Sequence, residues 1–350
     1  MLRKSKLFIP ALAALLVVSI LAAISFGAVS VSLREMFSAC RHFFSGQEPG
    51  NIREGVFLQL RLPRVLLAAI TGAVLAASGV LMQGLFRNPI VEPGLVGTSS
   101  GAAFGASIVF VLAASLSPEL KIFFSTWMVP LFAFAGALLA TYAVYFLANS
   151  GGNVSVVSLL LVGVAINAIG ISGTGFMSYI ARDPQARSIT FWNLGTFSAA
   201  SWWQVWMSLG LSLTCLLIAF RYTTQLNAIM LGEAEATYLG VNPGLLKRKV
   251  MLLNTAMVAL VTSFAGIIGF MGLIVPHLMR LLRGSDNRKL LPASVLAGAI
   301  LMVWADFGAR LLLAPAEVPV GIITALVGAP VFIMLLRRSY WIINKGKTNA

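Results

Sequence analysis

Residues 61–105 read RLPRVLLAAITGAVLAASGVLMQGLFRNPIVEPGLVGTSSGAAFG, and this stretch decides the fold class. It opens with Arg61 and Arg64 and continues as an apolar run of the ~20 residues that a helix needs to cross a bilayer. The turn that follows is broken by Asn88, Pro89, Pro93 and Gly94. Such breaks are tolerated in membrane helices only where protein or a watery cavity satisfies the freed backbone groups. The stretch therefore predicts a helix–break–helix unit inside a membrane protein.

The second apolar run predicts tight packing between helices. Gly97, Gly101 and Gly105 recur every four residues and so share one helix face. Small residues at this spacing let membrane helices approach closely. We expect this face to contact a neighbouring helix.

The whole chain has the composition of a polytopic helical membrane protein. Of its 350 residues, 59% are hydrophobic and 10% are charged, whereas soluble domains carry about 25% charged residues. The apolar runs are long and lack the strict alternation of barrel strands. We predict an all-α fold in a single transmembrane domain covering residues 1–350. The net charge of +14 is attributed to basic loops and anionic membrane lipid, with no nucleic acid as a partner.

Ten segments are candidate membrane spans: residues 7–30, 63–86, 94–115, 121–148, 154–178, 201–220, 247–266, 268–283, 290–313 and 319–337. Lysine and arginine are more frequent in the loops on the side of the N terminus, which predicts that both termini are cytoplasmic. The first apolar run is interpreted as a retained helix rather than a cleaved signal peptide.

Several motifs carry a family resemblance. RLPR, SGVLMQGLFRNP and EPGLVGTSSGA occur in order within residues 61–105, and GFMGLIVPHLMRLL (269–282) and AEVPVGIITALVGAPVFIMLL (316–336) follow in the last third. Together they resemble the permease subunit of FecCD-type, or type II, ABC importers, which take up vitamin B12, ferric siderophores and haem.

The resemblance implies a type II ABC importer permease fold with ten transmembrane helices, in the bacterial inner membrane. It implies a homodimer with a second copy of the chain, two ATP-binding cassette subunits and an extracytoplasmic substrate-binding protein. The chain would not be an enzyme and would bind no cofactor, because ATP and Mg²⁺ would sit on the separate ATPase subunits. The tail sequence Lys345-Gly346-Lys347-Thr348 lacks the leading glycine of a Walker A loop, since Trp341 stands there.

Three arginines at predicted outer helix ends are candidate docking residues: Arg61, Arg64 and Arg310. Arginines at such depth can simply extend toward lipid headgroups. The resemblance implies instead that they meet acidic residues of the binding protein. Asp306 lies one helical turn before Arg310, so a structural ion pair is the favoured interpretation of this intramembrane acid.

Residues 231–241 predict a short exposed helix on the cytoplasmic side. By sequence alone it is either a surface loop helix or a docking helix for a partner. The resemblance implies the coupling helix that contacts the ATPase subunit, carried by Gly232, Glu233, Glu235, Tyr238, Leu239 and Gly240. It also implies a cytoplasmic gate near the start of the fifth span, at Ser155, Val156 and Val157.

No set of side chains predicts a metal or catalytic centre. His42 and His277 are the only histidines, and neither belongs to a cluster with metal-ligand spacing. His277 follows Pro276, which is interpreted as another structural break. The glycine-rich breaks at residues 94–101 and 266–272 are expected to let helices tilt during transport.

The cargo is predicted from residues 183–202, DPQARSITFWNLGTFSAASW, which resemble haem permeases more than siderophore or cobalamin permeases. The aromatic residues here are also typical of interface anchors. We expect transport of haem or another iron chelate, with ferric siderophore and cobalamin as alternatives. An ion-coupled secondary transporter is disfavoured because such carriers need ionisable groups near the membrane centre. A membrane-embedded enzyme is disfavoured by the missing nucleophile.

Overall fold

The computed structural model describes residues 7–26, 32–45, 50–113, 116–150 and 153–348. The helices in this part of the chain are α1 (Phe8–Ser25), α2 (Leu33–Phe44), α3 (Ile52–Val56), α4 (Leu62–Leu85), α5 (Thr98–Leu112), α6 (Pro118–Phe123), α7 (Val129–Ala148), α8 (Val156–Ile180), α9 (Asp183–Asn193), α10 (Trp202–Ile229), α11 (Glu233–Tyr238), α12 (Pro243–Ala265), α13 (Met271–Arg283), α14 (Asn287–Leu311) and α15 (Val320–Thr348). One π-helical turn joins α3 to α4 and another joins α6 to α7.

The all-α prediction is confirmed for the described residues, apart from a short hairpin. Its two strands, β1 (Asn149–Ser150) and β2 (Asn153–Val154), have two residues each and pair antiparallel. Among the described residues, six helical segments are long and apolar enough to cross a membrane, and α5 and the first half of α15 are shorter apolar helices. Every predicted span falls on a helix. The total of ten crossings stays a prediction.

Helix α4 is the centre of the molecule. In the helical segment that contains α4, 83% of the residues of an apolar 18-residue stretch are buried, against 17% in α8. The reason is that α10, α12, α13 and α14 all pack around α4. Glycines permit this crowding. A Cβ atom on Gly72 would overlap the carbonyl oxygen of Gly298 in α14, and one on Gly79 would overlap that of Gly272 in α13. The backbones approach so closely at these two contacts that neither helix has room for a side chain there.

The predicted packing face of α5 is confirmed. A Cβ atom on Gly101 would overlap the carbonyl oxygen of Gly136 in α7, and one on Gly105 would overlap that of Phe132. The four-residue spacing therefore lets α5 and α7 pack backbone to backbone, as small-residue faces do in membranes.

The predicted turn after α4 is a true break. No α-helix lies between Leu85 and Thr98, where the chain makes a 3₁₀ turn (Pro93–Val96) that starts at Pro93. Asn88 accepts a hydrogen bond from the Ile90 amide at 3.0 Å, which closes the turn next to Pro89. Gly94 follows Pro93 inside the 3₁₀ turn.

The break after α4 touches a second break, between α12 and α13. Glu92 accepts a hydrogen bond from the amide of Phe270 at 2.9 Å, at the first turn of α13. Pro93 packs against Gly272 in the same turn. A carboxylate at a helix N terminus satisfies a backbone donor that has no partner inside the helix. The break after α4 is thus held to the break before α13.

The prediction that Pro276 marks a helix break is wrong. Helix α13 continues through Pro276. Proline lacks an amide hydrogen, so the carbonyl of Gly272 has no partner four residues later. The side-chain amide of Gln83 in α4 donates to the Gly272 carbonyl at 3.3 Å and to that of Leu273 at 3.1 Å. This replacement bond lets the helix continue.

Candidate functional site

The three predicted docking arginines meet at one end of the molecule. Arg61 ends the π turn before α4, Arg64 lies in the first turn of α4, and Arg310 lies in the last turn of α14. They line a cavity of about 610 Å³, together with Glu317 from the segment that leads into α15. We call these residues, with Asp306, the outer cluster.

Arg64 is held by two carboxylates. Its guanidinium donates to Asp306 Oδ1 from both Nε and Nη2 at 2.9 Å, and from Nη1 to Glu317 Oε1 at 2.8 Å. Asp306 is 1% exposed, whereas the Glu317 side chain is 42% exposed. The Glu317 bond is therefore the one that a ligand from outside could reach.

Asp306 also pairs with Arg310 at 3.2 Å, which confirms the ion pair expected from their spacing. Arg310 donates from Nη2 to the carbonyl of Ala23 at 3.0 Å, and Arg61 donates from Nη1 to the carbonyl of Ile24 at 2.8 Å. These carbonyls belong to the last turn of α1, which has no amide donors for them within its own helix.

The outer cluster is more buried than the sequence suggests. Arg61 is 7% exposed, and the side chains of Arg64 and Arg310 are 11% and 10% exposed. The sequence pattern placed all three at an outer surface but did not indicate Glu317, which neutralises one of them. Three arginines against two carboxylates leave the cluster with one net positive charge.

The predicted short helix at residues 231–241 is confirmed as α11. It is bounded by Gly232 and Gly240, whose φ angles of 149° and 80° suit glycine. A Cβ atom at Gly232 would also overlap the carboxylate of Glu235. Two positive-φ glycines fold the chain into α11 and out of it within a few residues.

Helix α11 presents a bare apolar surface. Tyr238 is 92% exposed and Leu239 is 63% exposed, and Leu231 before the helix is also exposed. Glu233, by contrast, is fixed to Lys247 of α12 by an ion pair of 2.7 Å. We call Leu231, Tyr238 and Leu239 the α11 surface.

The predicted gate residues lie at the N terminus of α8. The Ser155 hydroxyl accepts a hydrogen bond from the Ser158 amide at 3.0 Å and caps the helix. Val156 is half-buried against the core, and Val157 is 65% exposed. Ser155 also lines a polar cavity beside α11.

The histidines have different surroundings. His42 lies 2.9 Å from a carboxylate oxygen of Glu54, a partner that the sequence did not indicate. His277 lies within α13. Among the described residues, no group of three or more His, Cys, Asp or Glu side chains could hold a metal ion.

The aromatic segment after α8 folds in a way that the sequence analysis missed. Residues 183–193 form helix α9, and its signal was Asp183 followed by Pro184, which suits the first turn of a helix. Nearby, Trp127 stacks on Trp203 at 4.5 Å between ring centroids.

The model of the FecCD transport family matches residues 15–338. The chain belongs to the FecCD transport family. This FecCD protein is 40% identical over 324 residues to the hemin transport system permease protein HmuU of Yersinia pestis, covering 93% of each chain. It is 41% identical over 282 residues to the vitamin B12 import system permease protein BtuC of Klebsiella pneumoniae, covering 80% of this chain and 82% of that one.

A solved structure shows the same architecture. The inward-facing structure of an ABC transporter assigned to the metal-chelate type aligns with a TM-score of 0.82 and 31% identity, covering 94% of this chain and 98% of that one. The recognition made from the RLPR, RNP and EPG motifs is confirmed. This FecCD protein is a multi-pass transport permease of the type II ABC importer class.

Proposed function

We propose that this chain is the permease subunit of an ATP-driven importer that carries haem, or another iron chelate, across the inner membrane into the cytoplasm. The observation that carries the proposal is the 40% identity to a hemin permease over 93% of both chains. Cobalamin is the second candidate, because the identity to a vitamin B12 permease is 41%, although over 80% of this chain. Ferric siderophore is the third.

The α11 surface is the proposed contact with an ATPase subunit. Exposed aromatic and aliphatic side chains on a short helix suit insertion into a groove of a partner, and large aromatic residues dominate interface energies. Two such subunits, each carrying ATP and Mg²⁺, would serve a homodimer of this chain. The α11 end would then face the cytoplasm, with both termini on that side.

The outer cluster is the proposed contact with the substrate-binding protein. Arg64 and Arg310 are oriented by Asp306, and the net positive charge of the cluster suits an acidic partner, which charge complementarity steers and aligns. Glu317 holds Arg64 in the free permease. We infer that a carboxylate of the binding protein replaces Glu317 on Arg64 when the two proteins dock.

Val156 and Val157 at the start of α8 are the proposed cytoplasmic gate. Val157 offers an exposed apolar side chain for contact with the second copy of the chain. A cysteine at position 156 should crosslink across the dimer in one nucleotide state and not in another. Crosslinking that is indifferent to nucleotide would remove the gate assignment.

The decisive experiment is uptake into proteoliposomes that contain the permease, its ATPase and its binding protein. Haem, a ferric siderophore and cobalamin are supplied in parallel, with ATP or a non-hydrolysable analogue inside the vesicles. Haem uptake that requires ATP hydrolysis supports the class and the cargo. Uptake of cobalamin or siderophore alone keeps the class and overturns haem. Uptake driven by an ion gradient without ATP would overturn the class.

A further inference from the structure

A polar basin and an apolar groove meet beside α11. The basin has a volume of about 870 Å³ and lies between α11, the start of α12 and the start of α8. The groove has a volume of about 200 Å³ and lies between α7 and α12. Tyr145 and Arg248 line both cavities. The two cavities therefore adjoin at these two side chains, and we treat them as the polar half and the apolar half of one candidate site.

The polar half carries one uncompensated positive charge. Lys247 is neutralised by Glu233 at 2.7 Å. Arg248 is exposed, and within the described part of the chain no carboxylate forms an ion pair with it. The first turn of α12 contains no acidic residue. The cation available to a ligand is thus the guanidinium of Arg248, which can bind a phosphate group with two parallel hydrogen bonds.

The apolar half lies on an exposed side of the bundle. Leu138 and Tyr142 of α7 form one wall, and Met251 and Leu252 of α12 form the other. Tyr142 and Leu252 are 65% and 59% exposed. Tyrosine and arginine above an aliphatic groove are typical of the level where lipid headgroups begin.

We propose that the basin and groove bind one anionic glycerophospholipid. An acyl chain would lie in the groove between α7 and α12, and the phosphodiester would bind Arg248 beside Tyr145. One negative charge on the phosphodiester matches the one uncompensated positive charge in the basin. The lipid would contact the helix that also holds Glu233 of α11 through Lys247, so its binding is linked to the position of α11. The site does not depend on which cargo is transported.

Native mass spectrometry of the full-length protein tests this site. The protein is released from detergent in the presence of phosphatidylglycerol and phosphatidylcholine with identical acyl chains. We expect one retained phosphatidylglycerol per chain. Arg248→Gln should weaken its binding by about tenfold or more, the size of one lost charge-assisted hydrogen bond. Lys249→Gln, the matched control, removes the same charge from the next residue, outside both cavities, and should change binding less than about twofold.

Two further arms separate a lipid from other anions. Leu138→Trp fills the groove but keeps Arg248, and it should weaken phosphatidylglycerol binding as well. Glycerophosphoglycerol, the headgroup without acyl chains, should fail to displace the lipid. Arg248→Lys keeps the charge but not the two parallel hydrogen bonds, so it should bind more tightly than Arg248→Gln and less tightly than the native protein, which separates charge loss from misfolding. Equal losses in Arg248→Gln and Lys249→Gln would overturn the proposal in favour of diffuse attraction, and displacement by the free headgroup would reduce the site to a phosphate site.

Discussion

The outer cluster and the α11 surface lie at opposite ends of the same bundle and differ in how far their side chains are exposed. The three arginines of the outer cluster are buried and mostly neutralised by Asp306 and Glu317. Tyr238 and Leu239 of the α11 surface are exposed. If the proposed docking sites are correct, a partner at the outer end would exchange one ion pair for another, while a partner at the inner end would only cover apolar area.

The largest expected effect comes from removing the buried acid of the outer cluster. Asp306→Ala leaves Arg64 and Arg310 without their shared carboxylate, and breaking a buried ion pair costs about 3–5 kcal/mol. Thermal unfolding in detergent should show a large loss of stability. Glu119→Ala, which removes an exposed acid, is the control and should leave the unfolding temperature nearly unchanged. Equal stability of the Asp306 variant would show that the cluster is solvated after all.

The second-largest effect is expected at the α11 surface. Tyr238→Ala combined with Leu239→Ala should leave folding intact but weaken assembly with the ATPase by about 30-fold or more, because interface hot spots contribute about 2 kcal/mol or more. Affinity is measured by titration with the purified ATPase. Tyr179→Ala is the control, because Tyr179 is 86% exposed but lies at the C-terminal end of α8, away from α11. Normal assembly of the double variant would remove the α11 surface from the interface.

A smaller effect tests the exchange at Arg64. Glu317→Gln removes the internal competitor, so affinity for the binding protein should rise about threefold or more, mainly through faster association at low salt. The stability cost should stay near ~1 kcal/mol or less because Glu317 is half-exposed. Surface plasmon resonance at two salt concentrations measures both rates. Weaker docking in this variant would mean that Glu317 itself contacts the partner.

The smallest effect concerns an ion pair at the inner end. Arg288 donates hydrogen bonds to Asp286 and lowers the pKa of that carboxyl to about 2, helped by a bond from Asn227. Because the folded pKa lies below the ordinary value of 3.8, the stabilisation is complete above about pH 4 and is lost as the pH falls toward 2. Asp286→Asn keeps the helix cap and should flatten the stability profile in this window, measured by unfolding at each pH.

Much of the fold, but not the burial of the outer cluster, could be predicted from the sequence. Apolar length predicted the long helices, glycine spacing predicted that α5 packs closely on a neighbouring helix, and the paired glycines around residues 233–238 predicted α11. The burial of Arg61 could not be predicted, because its partner is the carbonyl of Ile24 at the end of a helix 37 residues away. Glu317 was missed for the same reason, since it reaches Arg64 across 253 residues. Local patterns specify elements, but partners distant in sequence appear only when the elements pack.

Gln83 gives the bundle a mechanical property. Its amide replaces the hydrogen bond that Pro276 cannot donate to the Gly272 carbonyl of α13, so sliding or rotation of α13 along α4 would strip that carbonyl of its donor. An unsatisfied backbone group inside a membrane costs several kcal/mol. We therefore expect α4 and α13 to move together. Any bending between α12 and α13 would then fall on residues 266–270, which belong to neither helix.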